Sequence, residues 1–454
     1  MAADDDLAPK RVAVAGAAAN GGNFDGVALL EGRLYLCPYN ADFVVCIDPT
    51  GDVLGCYERP GESPAVVDPS TGYSVSYYDL PAPLRGGEKW SGICACRGKL
   101  FCAPATAPGV LVVDPGASPP MRSIEGGRGG GGHMWDGICV CNGRLYCAPF
   151  DARSVLAIDP ITEAAGTIDV SAVRQGAGKW SGCAAACGKV FCAPHNAGVV
   201  LVIDAHDGDA VSSIDCGYAG NQKWSGICAS RGKLYCAPFN AASVLCVDPA
   251  RLSMRWIETG ASSPAKYRCI AAAGGRLFCA PYSSPHLLVV APGQNGVDDA
   301  DGVRFADCGP GGATPRRWSG VAACGGMLVA AQFDAGGALV VDQRAGDAPP
   351  SLEAQLREAA EAIACVSCAG ANEPAVALCD APSEFFDAAA PPPRPKFHYE
   401  TAWEEDRAAP AAAEEDAPED YTDVPLVDAK LALRDAFDAY PPLKPLPPGL
   451  TADV

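Results

Sequence analysis

The chain has 454 residues, with 34 basic and 54 acidic side chains and a formal charge of −20. That balance argues against nucleic acid or an anionic membrane as its main partner, because binding phosphate needs a basic face. The start, MAADDDLAPKRVAVAG, puts acids first and lacks a long apolar core, so no secretory leader is expected, and no apolar run approaches the about 18 residues of a membrane span.

The first element in chain order is a short apolar strand, Arg11-Val12-Ala13-Val14-Ala15. Seven segments follow that align without a gap over their central part. They start at Phe24, Trp90, Trp135, Trp180, Trp224, Tyr267 and Trp318, at spacings of 66, 45, 45, 44, 43 and 51 residues. The copy from Trp224 reads WSGICASRGKLYCAPFNAASVLCVDP, and that from Trp135 reads WDGICVCNGRLYCAPFDARSVLAIDP. An aromatic stands eleven residues on, at Tyr35, Phe101, Tyr146, Phe191, Tyr235 and Phe278, with Val329 in the seventh copy. Proline follows three residues later, at Pro38, Pro104, Pro149, Pro194, Pro238 and Pro281. Aspartate recurs at Asp48, Asp114, Asp159, Asp204, Asp248 and Asp342. A fixed period of this length is the signature of a repeat architecture.

Each copy predicts four strands. In the fifth these are Ile227 to Ala229, Lys233 to Ala237, Ser243 to Val247 and Arg255 to Glu258. Pairs such as Asn142-Gly143 and Arg231-Gly232 mark tight hairpin turns between the first two, since Asn-Gly tolerates the positive φ they demand. Both strand faces are apolar. In the hairpin from Trp90, Cys94, Cys96 and Phe101 share one face, and Ile93, Leu100 and Cys102 the other. A sheet apolar on both faces needs cover on both sides, which radially stacked blades supply. The expected fold is therefore an all-β, seven-bladed β-propeller of four-stranded antiparallel blades over residues 1–345. The seventh copy lacks a fourth strand, and the strand at residues 11–15 is expected to supply it and close the ring. The long first spacing predicts an insertion near residues 49–66.

Beyond the propeller, SLEAQLREAAEAIA (351–364) predicts a short helix within residues 346–365, capped by Ser351. Residues 366–454, rich in Ala, Pro and acid, are expected to form a disordered acidic tail. Most of the 23 cysteines recur at fixed repeat positions. In a long chain without a leader they read as reduced apolar filler in a cytoplasmic protein. Cys183 and Cys192 are expected to face each other across one hairpin as packing. Cys365 and Cys368 form a lone Cys-x-x-Cys, and five scattered histidines make no zinc pattern.

The segment GKLYCAPFNAASVLCVDPARLSMRWIETG resembles the YVTN-type propeller repeat, with its Lys-Leu-Tyr strand and later Ile-Asp. Through Gly-Lys-Leu-Tyr and Asp-Pro it is also similar to a kelch-like repeat, although Ala-Pro stands where kelch has a double glycine. The resemblance spans residues 11–343 and implies the propeller fold. Such families include scaffolds, ligand sensors and a few enzymes, so it does not decide function.

Candidate site residues gather at the face where strand 4 passes to strand 1. The aromatics Trp90, Trp135, Trp180, Trp224 and Trp318 are expected there, with a cation before the aromatic at Lys89, Lys179, Lys223, Lys266 and Arg317. The strand 2–3 loops add Asn40, Thr106, Asp151, Asn196, Asn240, Ser283 and Asp334. One reading is a binding face for an anionic or sugar-like ligand. The other is that Trp packs between blades, Ser bonds across the blade junction and Lys is solvated. Departures from the repeat point more sharply to function: Asp25 and Asp136 replace the Ser of Trp-Ser-Gly, Arg268 replaces it in the sixth copy, and His133 and His195 lie near the same face. Two carboxylates near an axis suit calcium or magnesium, which keeps a metal-dependent hydrolase or lyase as an alternative. The leading expectation is a monomeric, non-catalytic scaffold or interaction protein, with a protein partner, no cofactor and the tail as a second binding element. A small-ligand or carbohydrate sensor is the runner-up.

Overall fold

The computed structural model describes residues 9–14, 21–51, 61–63, 65–126, 132–293, 301–308, 316–324, 327–334 and 337–342. The helix expected within 346–365, the tail and the Cys365–Cys368 pair lie outside the described residues.

The turn chemistry acts locally. Asn142 and Gly143 have φ of 49° and 73°, and Arg231 and Gly232 have 48° and 69°, the paired positive values of a type I′ hairpin turn. The fifth copy forms strands Trp224–Ser230, Lys233–Pro238, Ser243–Asp248 and Ser253–Glu258, paired antiparallel in that order. The same unit recurs to give seven antiparallel sheets, six four-stranded and one five-stranded. The chain is an all-β, seven-bladed propeller, and a single 3-10 turn, Ala82–Leu84, is the helical element among the described residues.

Apolar residues on both faces of each strand hold the blades together. Ile93, Leu100 and Cys102 pack with Tyr35 and Cys37 of blade 1. From the other face of the same hairpin, Phe101, with Cys94 and Cys96 against it, packs with Trp135 and Leu145 of blade 3. Burying each larger side chain in this way contributes about 1.5–3 kcal/mol, so every blade depends on two neighbours.

Ring closure follows the expectation with a shifted boundary. The closing strand is Pro9–Val12 rather than residues 11–15, and it pairs with Ala338–Asp342. Val12 lies opposite Ala338, the first residue of its partner strand. The insertion lies between Phe43–Asp48 and Ser74–Asp79 of blade 1 and adds the outer strand Val66–Val67. Tyr78 Oη donates to its Glu62 at 3.0 Å.

Cys183 and Cys192 are cross-strand partners, as expected, and both are buried free thiols. Burial pushes the Cys46 thiol up to about 12 and that of Cys308 up to about 11.

Candidate functional site

In six blades the first strand carries a bulge immediately after its opening aromatic. Trp180 pairs with Pro194, but Cys183 pairs with Cys192, so one extra residue stands on the inner strand. The bulge depends on glycine: Gly137 and Gly182 have φ of 91° and 88°, and a Cβ on Gly137 would fall 2.6 Å from the Gly182 Cα of the next blade. Bulges re-aim the side chain beside them. Here they bring the residue before each glycine (Asp25, Ser91, Asp136, Ser181, Ser225, Ser319) into contact with its neighbours around the ring. In blade 6 Cys269 replaces the glycine, its Tyr267–Pro281 pair is an isolated bridge, and Arg268 fills the equivalent position.

The repeated aromatics and cations are placed differently. Trp90, Trp135, Trp180, Trp224 and Trp318 are at most 3% exposed. Trp180 packs against Tyr146 and Val155 of the preceding blade. Each indole N–H donates to a carbonyl at the start of the third strand of its own blade: Gly109, Ser154, Val199, Ser243 and Gly337, at 2.8–3.2 Å. The lysines are buried rather than solvated. Lys223 Nζ donates to the carbonyls of His195, Ala197 and Gly220 at 2.8–3.1 Å. Lys179 donates to Phe150 and Gly176, Lys266 to Ser263, Lys89 to Gly86 and Arg317 to Ser284. Burial lowers the pKa of all four lysines. The strand 2–3 loops are engaged too: the Asn40, Asn196 and Asn240 amide oxygens accept N–H bonds from Glu88, Gln222 and Ala265 in the loops entering the next blade.

The three departures from the repeat meet. Arg268 Nη2 lies 2.6 Å from Asp25 Oδ2 and 3.9 Å from Asp136 Oδ1. Ser91 Oγ sits between the two carboxylates, 2.7 Å from Asp25 and 2.6 Å from Asp136. Ser181 donates to the other Asp136 oxygen at 2.7 Å and meets Ser225 at 2.8 Å. Ser319 bonds the Phe24 carbonyl across the ring closure. Six blades thus form a polar belt holding two carboxylates and one guanidinium. Burial alone would raise the Asp136 carboxyl, but Arg268, His133 and the two serine hydroxyls outweigh it and hold it below the ordinary aspartate range. Burial likewise opposes the charge on Arg268, and Asp25 and Asp136 outweigh it. Between these two carboxylates Arg268 supplies one positive charge, closest to Asp25.

Beside the belt stands a closed collar of seven rings. In order around it are Tyr39, His133, Phe150, His195, Phe239, Tyr282 and Phe333, with neighbouring centroids 4.8–6.2 Å apart. Six come from the residue after the strand-2 proline, or after Gln332, which stands in its place. Blade 2 has Ala105 at that point, and His133, from the loop entering blade 3, fills the gap. Tyr39, His133, Phe150 and Phe239 are half-buried, while His195, Tyr282 and Phe333 are buried. Arg268 joins collar and belt: its Cζ lies 5.9 Å from the Tyr282 ring and 5.7 Å from Phe333, within cation–π range. His195 Nδ1 lies 3.0 Å from the Trp224 carbonyl, and burial lowers its pKa from the ordinary 6.5. One residue further along the inner strands, the glycines and the residues after them, Gly92-Ile93 and Gly182-Cys183 among them, line a cavity of about 140 Å³.

The structure therefore brings together Asp25, Asp136, Arg268, His133 and His195, and sets the Trp and Lys rings apart in the blade junctions. The collar was not anticipated from the sequence. Its signal was the ring one residue past the strand-2 proline position, present in six copies: after Cys-Pro at Tyr39, after Ala-Pro at Phe150, His195, Phe239 and Tyr282, and after Ala-Gln at Phe333.

No family model and no curated relative matches the chain, so the YVTN-type and kelch-like resemblance reaches no further than the fold. Solved propellers do match. The chain is similar to a streptogramin B lyase, with a TM-score of 0.56, 8% identity, and coverage of 74% of this chain and 97% of that one. It is also similar to a catalytically inactive histidine-to-alanine variant of virginiamycin B lyase from Staphylococcus aureus with quinupristin, at 0.54, 8%, 74% and 99%. A third is U3-55K, at 0.51, 10%, 75% and 100%. At these identities the likeness shows the fold alone.

Proposed function

We propose that this protein is a non-catalytic propeller interaction module whose recognition element is the axial collar, with the polar belt as its floor. The observation that carries the reading is the collar's completion by His133. Simple repetition would have left a gap at Ala105, yet a ring from a non-equivalent position fills it. The belt carboxylates are engaged by Ser91, Ser181 and Arg268, a fixed floor better suited to recognition than to turnover. The anion-binding face expected of the lysines loses its basis, because their ammonium groups are taken up by backbone carbonyls. The test is a thermal-shift screen of amines, sugars, carboxylates and short peptides on wild type and Phe239→Ala. At least one chemical class should raise the melting temperature of wild type and not of the variant. If no class separates the two proteins, the collar is not a recognition site.

A second reading, lyase chemistry, is favoured by one observation: His133 and His195 stand two places apart in the collar. It predicts a substrate whose turnover is abolished in both His133→Ala and His195→Ala while the fold is retained.

A further inference from the structure

Within that reading, we infer that the collar takes an organic cation with N–H donors, a primary alkylammonium or guanidinium head, against His133, Phe150 and His195 and over Asp136. The inference rests on the collar being a recognition site, and four observations carry it.

The first is charge. Asp25 and Asp136 bring two negative charges to the belt and Arg268 one positive charge, which leaves a formal excess of one carboxylate. Arg268 lies against Asp25 at 2.6 Å and only 3.9 Å from Asp136, so Asp136 is the carboxylate with its nearest cation outside hydrogen-bond range. The second is the wall. Aromatic faces attract cations, and a regular seven-membered ring with these centroid spacings has a radius of roughly 6.5 Å, close to the reach of cation–π attraction. A cation slightly off the axis therefore lies in range of two or three rings. The third is occupancy. Arg268 shows that the collar accepts a cation, and it takes the Tyr282–Phe333 side. Around the ring the opposite arc is His133–Phe150–His195, next to Asp136: that carboxylate acts on both histidines electrostatically. The fourth is an unsatisfied atom. His133 Nε2 is buried and has no hydrogen-bond partner among the described residues. In the Nδ1–H tautomer this nitrogen is an acceptor, and an ammonium or guanidinium N–H entering the arc would give it a partner where an apolar ring would not. A trimethylated ammonium has no N–H to offer, so the geometry ranks it below the primary amine.

The experiment is calorimetric titration of the full-length protein with n-butylammonium, ethylguanidinium, tetramethylammonium and, as neutral isostere, butanol. Butylammonium and ethylguanidinium should bind at least tenfold more tightly than butanol, with tetramethylammonium between. Phe150→Leu, which leaves the belt intact, should weaken butylammonium at least fivefold. Asp136→Asn should weaken it at least tenfold, and if that variant does not fold, Phe150→Leu decides. A lysine peptide capped at its α-amine, titrated beside free butylammonium, separates the two sources: tighter peptide binding assigns the site to a partner's side chain, and equal binding to a small amine. Butanol binding as well as butylammonium, or Phe150→Leu leaving the affinity unchanged, overturns the inference. If a sugar or carboxylate binds and is lost in Phe239→Ala, the recognition site stands and its cationic preference fails. If nothing binds, both fail.

Discussion

Two rings surround the axis of this propeller, and they differ in regularity. The Trp and Lys positions recur with one task each: five indoles donate to a third-strand carbonyl of their own blade, and four ammonium groups donate to loop carbonyls. The belt and collar break the repeat at Asp25, Asp136, Arg268, Ala105 and His133, and the breaks converge on one place. A symmetric fold needs the same contact at every junction, so residues that keep the symmetry are explained by packing. Residues that depart from it at positions in mutual contact need another explanation. Nature has already made one such comparison: Met134 stands in blade 3 where blades 4 and 5 have Lys179 and Lys223, so the lysine clip is not indispensable at every junction.

The contrast can be tested from its strongest side down. Trp180→Ala removes a fully buried indole from the junction of blades 3 and 4 and should cost about 3–5 kcal/mol in urea unfolding. A loss below about 1 kcal/mol would mean that the outer ring is not the structural one. Lys223→Met gives up three charge-assisted bonds but keeps the apolar stem. It should cost about 2 kcal/mol, read as a lowered urea midpoint at unchanged m-value. Phe239→Ala, in the half-exposed collar, should cost no more than about 1 kcal/mol while abolishing ligand-induced thermal shifts; a collapse in stability instead would make the collar a packing element.

His195 gives the smallest and most specific effect. Its folded pKa lies below 6.5 because burial disfavours the imidazolium. The folded state therefore binds fewer protons than the unfolded one between that lowered pKa and 6.5. Stability should fall as pH drops through 6.5 toward the folded pKa and then level off, with a slope of at most about 1.4 kcal/mol per pH unit from this group. Unfolding free energies measured from pH 7.5 to 5 should show that slope in wild type and a shallower one in His195→Phe. Identical slopes would contradict a buried neutral imidazole.

The architecture was legible because its causes are local and repeated. Asn142-Gly143 specifies a turn, the doubly apolar hairpin from Trp90 demands two neighbours, and a strand missing from the last copy finds its replacement before the first. The site was legible only in part. Asp25, Asp136 and Arg268 stood out as departures, but nothing in their spacing, 111 and 132 residues apart, says that a guanidinium bridges two carboxylates. That follows from the glycine bulges of the inner strands, such as those carrying Asp25 and Asp136, which a pattern of apolar residues does not reveal. The lysines were misplaced for a related reason. A charge beside an aromatic reads as solvated, and the ring of loop carbonyls that receives it exists only once the blades are assembled.

The measurement that tests the central claim most directly is the unfolding free energy of two variants beside wild type. Arg268→Ser alone strands Asp25 and Asp136 as buried carboxylates without their cation and should cost about 3–5 kcal/mol. The triple variant Asp25→Ser, Asp136→Ser, Arg268→Ser gives every blade the serine that the repeat itself prefers, and it should return to within about 1 kcal/mol of wild type, a non-additivity expected of groups acting as one unit. That result would show that the fold does not need the charged belt, leaving recognition as its reason. A triple variant as unstable as Arg268→Ser would contradict the account, because the charges would then be holding the propeller together.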